Sequence, residues 1–134
     1  MSHWAQLDEN NVVIQVTVGN NDDPDEGYQW LVDNHGGRWI QTSYNAMMGM
    51  RKDPESGLPI PGTKGFRMNY AIVGSVYDEA ADAFYMPKEH NGWILNKKTG
   101  WWEPPSEDPS NEQQSYYWDE ELERWEPYRY QHLY

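Results

Sequence analysis

Residues 115–127, Ser-Tyr-Tyr-Trp-Asp-Glu-Glu-Leu-Glu-Arg-Trp-Glu-Pro, contain a pattern that occurs four times in this chain. In each copy an apolar residue is followed by Asp or Asn and a mostly polar stretch, and a second apolar residue stands seven positions after the first. The apolar pairs are Leu7 and Ile14, Tyr77 and Phe84, Leu95 and Trp102, and Trp118 and Trp125. In the last three copies a proline follows, at Pro87, Pro104 and Pro127.

Each copy predicts a β-hairpin. An Asp or Asn side chain at the end of a strand accepts hydrogen bonds from backbone amides two residues on and starts a turn. The two apolar residues then lie opposite each other, where a large cross-strand pair contributes about 0.2–1 kcal/mol. A proline cannot donate to the ladder, so it ends the strand. Because an isolated hairpin is marginal in water, we expect successive hairpins around a small, shared, aromatic-rich core.

The N-terminal half adds one helix to this mainly β pattern. The β-branched run from Val12 to Val18 predicts a strand, and residues 38–44 predict another. Between them, Asp23 and Pro24 are typical of a helix start, and the helix is expected to run to about Asn34 with Tyr28, Leu31 and Val32 buried. The same acidic residues, 20–26, are dense enough in oxygen ligands to hold a calcium ion as an alternative.

Two regions are expected along the chain. Residues 1–78 form a strand–helix–strand unit with a long central loop at 46–66, where glycines and Pro-flanked turns are frequent. Residues 79–134 form a Trp- and Tyr-rich hairpin region with a C-terminal tail. The length of 134 residues suits one compact domain with an extension. The 8 Trp and 10 Tyr residues indicate a small core and a substantial contact surface, because these rings are enriched at interfaces.

The net charge of −12 argues against binding to nucleic acids or anionic membranes, which requires clustered Lys and Arg. Four of the ten basic residues nevertheless lie in one loop-like segment, at Arg51, Lys52, Lys64 and Arg67. That segment is either a docking point for an acidic neighbour or a solvated loop.

No arrangement of residues typical of catalysis is found. The chain has no cysteine, its four histidines are scattered, and it contains no Gly-rich phosphate loop. We therefore expect no enzyme activity, no cofactor and no metal. The adjacent residues Trp101 and Trp102 point to opposite faces if they lie in a strand, so one ring faces away from the core. Such a ring can stack on a sugar or on a neighbouring protein, and the alternative for most of the tryptophan rings in the last third is packing between hairpins.

The chain resembles small virion-associated proteins of marine and cyanobacterial tailed phages. The resemblance rests on residues 5–13, on residues 36–45, on Asn69-Tyr70-Ala71 with Gly74 and Tyr77-Asp78, and on residues 117–120 with Trp125. It covers most of the chain in order and includes no active-site motif. It implies a component of the phage particle or of its assembly, made in the host cytoplasm.

Together these observations predict a capsid decoration protein, or a head–tail or tail accessory subunit, that binds a major capsid or tail protein and is present on the particle in multiple copies or as a homo-oligomer. A carbohydrate-binding host-attachment module and a tail-fibre assembly factor are the alternatives. The residues expected to contact the partner are Trp101, Trp102, Trp118, Trp125, Tyr128, Tyr130, Tyr134, Arg51 and Lys52.

Overall fold

The computed structural model describes residues 2–129, so the predicted partner contacts Tyr130 and Tyr134 lie outside the described residues. The described chain is mainly β with a single short helix, as expected. Its elements in chain order are β1 (Ser2–Leu7), β2 (Val13–Gly19), α1 (Tyr28–His35), β3 (Arg38–Thr42), β4 (Ala46–Met47), β5 (Met50–Lys52), β6 (Pro59–Ile60), β7 (Val76–Asp78), β8 (Ala83–Tyr85), β9 (Ile94–Asn96), β10 (Trp101–Glu103), β11 (Tyr116–Asp119) and β12 (Arg124–Pro127).

The chain divides into two compact units. Unit 1 comprises Met1–Pro87 and Leu95–Trp101, and unit 2 comprises Lys88–Ile94 and Trp102–Tyr134. The boundaries between the units fall after Pro87, within β9 and within β10. No helix in residues 2–129 has the length and apolar content to cross a bilayer.

Unit 1 is built on an antiparallel sheet with the strand order β2-β1-β3. Successive side chains of the central strand β1 point to opposite faces, and each face is covered. One face packs Trp4 with Leu31 and Trp39. The other face carries the larger cluster of Ala5, Leu7, Val13, Ala71, Tyr77 and Phe84. Because both faces are covered, adjacent residues of β1 such as Trp4 and Ala5 are both buried.

The helix begins at Tyr28, so the predicted start at Asp23 and Pro24 was wrong. Glu26 and Gly27 directly precede Tyr28, and their φ values of 58° and 94° lie in the left-handed region. A right-handed helix therefore cannot extend from Asp23 through these two residues. At Gly27 a Cβ would lie 2.7 Å from the backbone nitrogen of Asn20, so the close approach of these segments requires glycine.

The carboxylate that serves the first turn of α1 is that of Asp25. Its Oδ2 accepts a hydrogen bond from the backbone N–H of Gln29 at 2.8 Å. Leu31 is buried as expected, whereas Tyr28 is exposed. The helix ends as predicted at Gly36, whose N–H donates to the carbonyl of Val32 at 2.9 Å.

All four predicted turns begin with the expected side-chain acceptor. The Oδ1 atom at the first position accepts a backbone N–H at 2.8 to 3.2 Å, in the pairs Asp8 with Asn10, Asp78 with Ala81, Asn96 with Lys98, and Asp119 with Glu121. In the last three hairpins the residue four positions further on, Asp82, Gly100 or Glu123, is left-handed. The repeated pattern is therefore a repeated turn geometry.

The expected cross-strand pairs are confirmed in two hairpins, where Tyr77 lies opposite Phe84 and Trp118 lies opposite Trp125. The first hairpin differs. A bulge at the end of β1 puts Leu7 opposite Val13 and leaves Ile14 as the extra residue, so the predicted pairing of Leu7 with Ile14 was wrong. Val13 then fills the core and Ile14 is exposed.

The central segment expected as a long loop contains three very short strands. They form an antiparallel sheet in the order β4-β5-β6, with Met48 and Gly49 in left-handed conformations at the first turn. Strands of two or three residues are too short to leave a period in the sequence. Most of the segment remains turn and bend.

The buried side chain of Asn69 holds three parts of unit 1 together. Its Oδ1 accepts hydrogen bonds from the backbone N–H of Met48 at 2.8 Å and the indole N–H of Trp101 at 2.9 Å. Its Nδ2 donates to the carbonyls of Phe84 at 3.0 Å and Thr99 at 2.8 Å. These four bonds satisfy the amide and link the turn after β4, strand β8, and the start of β10 with the turn before it.

Candidate functional site

The hairpin of β11 and β12 in unit 2 has two aromatic faces with different surroundings. Trp118 and Trp125 lie on one face as a cross-strand pair. Tyr117 is adjacent to Trp118 in the strand, so its ring lies on the opposite face. Its partner there is Tyr128, whose ring centroid is 5.0 Å away.

The tryptophan face is a packing face. The rings of Trp118 and Trp125 meet edge to face with centroids 5.5 Å apart, and Trp93 completes the group at 5.8 Å from Trp118. We call Trp93, Trp118 and Trp125 the tryptophan cluster. Such aromatic pairs contribute about 0.5–1.5 kcal/mol each beyond the area they bury. The indole N–H of Trp125 donates to the carbonyl of Ser106 at 3.0 Å.

The cluster is bordered by hydrogen bonds that join the turn of the hairpin to residues 90 and 91. The imidazole of His90 packs on Trp93 with centroids 4.4 Å apart, and its Nδ1 lies 2.5 Å from Oε1 of Glu120. The other carboxylate oxygen of Glu120 accepts the backbone N–H of Asn91 at 2.9 Å. The Asn91 amide and then the His90 side chain lower the pKa of Glu120 from its ordinary value.

The tyrosine face is open to solvent. Tyr117 and Tyr128 are 39% and 49% exposed. Glu126 lies opposite Tyr117, and its Oε1 is 2.6 Å from Nε of Arg124, whose side chain is largely exposed. We call Tyr117, Arg124, Glu126 and Tyr128 the tyrosine face. Tyrosine and arginine are, with tryptophan, the residue types that most often dominate the energy of protein interfaces.

The predicted contacts Trp101 and Trp102 have different partners. The indole N–H of Trp101 donates to Asn69, so this residue anchors the interior of unit 1. The ring of Trp102 lies under the amine of Lys88, with Nζ 5.3 Å from the ring centroid. Adjacent strand residues thus face different surroundings, in agreement with the alternation expected for them.

The predicted basic contacts Arg51 and Lys52 lie in β5 of unit 1. The amine of Lys52 sits 3.7 Å from the ring centroid of Tyr44, a cation–π contact. Arg51 is exposed. Among the described site residues, Arg51, Lys52 and Trp101 belong to unit 1, and the others belong to unit 2.

The other two residues of the basic segment, Lys64 and Arg67, line a cleft of about 600 Å³ in unit 1 together with Lys98. Nε of Arg67 donates to Oδ1 of Asp82 at 2.7 Å. The hydroxyl of Tyr77 also donates to this carboxylate at 2.5 Å. The Tyr77 hydroxyl and then Arg67 lower the pKa of Asp82. Part of the basic charge is thus neutralised within unit 1.

Of the tyrosine face, only Tyr128 was among the partner contacts predicted from the sequence. Tyr117, Arg124 and Glu126 were not predicted, because the prediction relied mainly on tryptophan. The signal was present in the period of two along residues 116–119, which separates Tyr117 from Trp118. It also missed Asn69, for which no sequence motif exists.

No protein-family model matches the chain, and no curated protein or solved structure matches it. Residues 2–129 contain no group of three His, Asp or Glu side chains placed to hold a metal ion. Within residues 20–26, Oδ1 of Asn20 accepts the N–H of Asp22 at 2.9 Å, and Oδ1 of Asp25 accepts the N–H of Gly27 at 3.2 Å.

Proposed function

We propose that this protein is a non-enzymatic accessory subunit of a tailed-phage particle, which attaches through its tyrosine face to a larger capsid or tail protein. The docking part of this proposal rests on the difference between the two faces of the β11–β12 hairpin. The hairpin uses its tryptophans for its own packing and leaves two contacting tyrosines exposed on the other face.

The composition of unit 2 supports the same proposal. Among its described residues no side chain is fully buried, although they include Trp93, Trp102, Trp118 and Trp125. Burying exposed aromatic area against a partner contributes about 25 cal/mol per Å² removed from water, before the costs of association. Unit 2 therefore has more to gain from docking than a unit with a closed core.

The virion assignment rests on the resemblance to small phage proteins. We expect the protein in purified particles, in multiple copies, when particles encoded by the same genome are analysed by quantitative mass spectrometry. A tail-fibre assembly factor would be absent from the mature particle, so the same measurement separates the two proposals.

The docking face is tested by copy number on the particle. The double variant Tyr117→Ala with Tyr128→Ala should fold, because both rings are exposed, and should lose most of its incorporation. The control Leu58→Ala removes an exposed apolar side chain, 62% accessible, from unit 1 and should be incorporated normally. Normal incorporation of the double variant would contradict the assignment of the face.

A carbohydrate-binding role ranks second because both candidate platforms already have intramolecular partners, Asn69 for Trp101 and Lys88 for Trp102. It predicts a change of tryptophan fluorescence when host-surface polysaccharide is titrated into the protein, abolished by Trp102→Ala. No change on titration would remove this alternative.

A further inference from the structure

The strand β2 is an edge of the unit 1 sheet, and most of its outer side is open. At its start, the N–H of Val13 donates to the carbonyl of Ser75 at 2.8 Å, and the N–H of Gly74 donates to the carbonyl of Val13 at 2.9 Å. From Ile14 to Val18, no strand of the described chain pairs with the outer side. We call Ile14–Val18 the open edge.

The open edge lacks the features that usually protect an edge strand. Natural proteins place charged residues or proline at such edges, or make them very short. Here β2 is seven residues long, and residues 12–21 contain neither a charged residue nor a proline in a chain with a net charge of −12. The bulge at Ile14 affects one end only, because pairing with β1 is regular from Gln15 to Gly19.

We propose that the open edge pairs antiparallel with the open edge of a second copy of this chain, which joins the two sheets into one six-stranded sheet. An antiparallel pair of identical strands satisfies two-fold symmetry, so the same residues serve both copies. The pairing brings β-branched side chains opposite each other, an arrangement that stabilises sheets.

The charge distribution selects a second copy as the occupant. Two molecules of net charge −12 repel each other over most of their surface, but the uncharged residues 12–21 bring no like charges together. Recognition of a different protein would be expected to use complementary charges, and this edge carries no charged side chain.

The apolar surface extends beyond the strand. Val18 and Trp30 line the same depression of about 380 Å³, and Trp30 is 58% exposed on the outer side of α1. When a strand is added to a sheet edge, the backbone hydrogen bonds form the centre of the interface. Exposed apolar residues beside the edge then increase the area that is buried.

The contact is small. Five residues of strand span about 17 Å, and an interface of this length falls below the size of stable protein–protein interfaces, about 1,200–2,000 Å² in total. We therefore expect a reversible dimer whose population rises with concentration, and which the high local concentration on a particle would favour.

Sedimentation velocity on the full chain over a wide concentration range tests the proposal. The wild type should shift from monomer to dimer as concentration rises, and Val18→Lys and Ile14→Lys should each stay monomeric. Both positions are about half exposed, at 46% and 49%, so the variants should fold, which circular dichroism would verify. Leu58→Lys, at 62% exposure in the central segment, is the matched control and should dimerise like the wild type.

A wild type that stays monomeric at the highest concentration would overturn the proposal. Dimerisation of Val18→Lys and Ile14→Lys to the same extent as the wild type would also overturn it, because the contact would then lie elsewhere. Amide hydrogen exchange gives a second readout, in which protection within residues 14–18 should increase with concentration. The proposal is independent of the tyrosine face, since Tyr117→Ala with Tyr128→Ala should leave dimerisation unchanged.

Discussion

Replacement of Asn69 by alanine should destabilise unit 1 strongly. The change removes four hydrogen bonds at once and leaves the N–H groups of Met48 and Trp101 and the carbonyls of Phe84 and Thr99 without this partner. A typical buried hydrogen bond contributes about 0.5–1.5 kcal/mol net, and an abandoned buried partner costs about 1–3 kcal/mol. With some relaxation and entry of water, the four bonds give a loss of about 3–5 kcal/mol.

This loss is a large share of the stability of a small protein, which is about 5–15 kcal/mol. It corresponds to a fall in melting temperature of roughly 10–20 °C, at about 4 °C per kcal/mol for a chain of this size. Urea unfolding followed by tryptophan fluorescence measures it directly, because the indole of Trp101 is bonded to the deleted amide.

The matched control is Asn10→Ala. Asn10 is exposed in the first turn, where its backbone N–H makes the bond to Asp8, so removal of its side chain should change the free energy of unfolding by less than about 0.5 kcal/mol. A loss below about 1 kcal/mol for Asn69→Ala would refute the view that this amide joins the turn after β4, strand β8 and the turn before β10.

Three further predictions concern the turns and their charges. Gly100→Ala should destabilise unit 1 by about 1–3 kcal/mol in urea unfolding, because Gly100 has φ of 74° and a Cβ there would lie 2.4 Å from Nδ2 of Asn69 and 3.0 Å from the carbonyl oxygen of Phe84. Glu123→Gly should raise the thermal stability of unit 2 by about 0.5 kcal/mol, since its φ of 52° strains any residue with a Cβ. Acid should destabilise the protein, because the pKa values of Asp82 and Glu120 are lowered in the folded state.

The sign of the acid effect follows from the direction of these shifts. A carboxyl group with a lowered folded-state pKa contributes stability above its ordinary pKa, which is 3.8 for Asp82 and 4.5 for Glu120, and that contribution is lost as the pH falls below it. Unfolding by urea at a series of pH values should therefore show a smaller loss on acidification for Asp82→Asn than for the wild type. If Asp82→Asn lost as much stability on acidification as the wild type, Asp82 would not contribute to the acid sensitivity.

Each turn variant has its own control. Glu121→Gly lies in the same turn as Glu123 but outside the left-handed region, so it should lower stability where Glu123→Gly raises it. Gly57→Ala also replaces a left-handed glycine, at φ of 73°, but its Cβ would meet no atom within 4 Å. A loss for Gly57→Ala as large as that for Gly100→Ala would show that backbone strain alone, without crowding, explains both.

Local chemistry explains how much of the fold could be predicted from the sequence. The side chains of Asp8, Asp78, Asn96 and Asp119 accept hydrogen bonds from backbone N–H groups two or three residues further on. Because these bonds are local, the four turns could be predicted from the sequence. The start of α1 was not readable, because it depends on the approach of Gly27 to Asn20, which are brought together by the sheet. The pairing of Leu7 was missed for a similar reason, because a bulge depends on which residue the core accepts.

For the candidate site, composition alone indicated an aromatic contact surface in the last third of the chain, because rings in such number exceed what a small core can hold. Only the tertiary structure decided which rings remain outside. Trp118 and Trp125 pack with Trp93, Trp101 bonds to Asn69, and the exposed face falls to Tyr117 and Tyr128. The physical reason is that exposure depends on what packs against each face of a strand, and those neighbours come from distant parts of the chain.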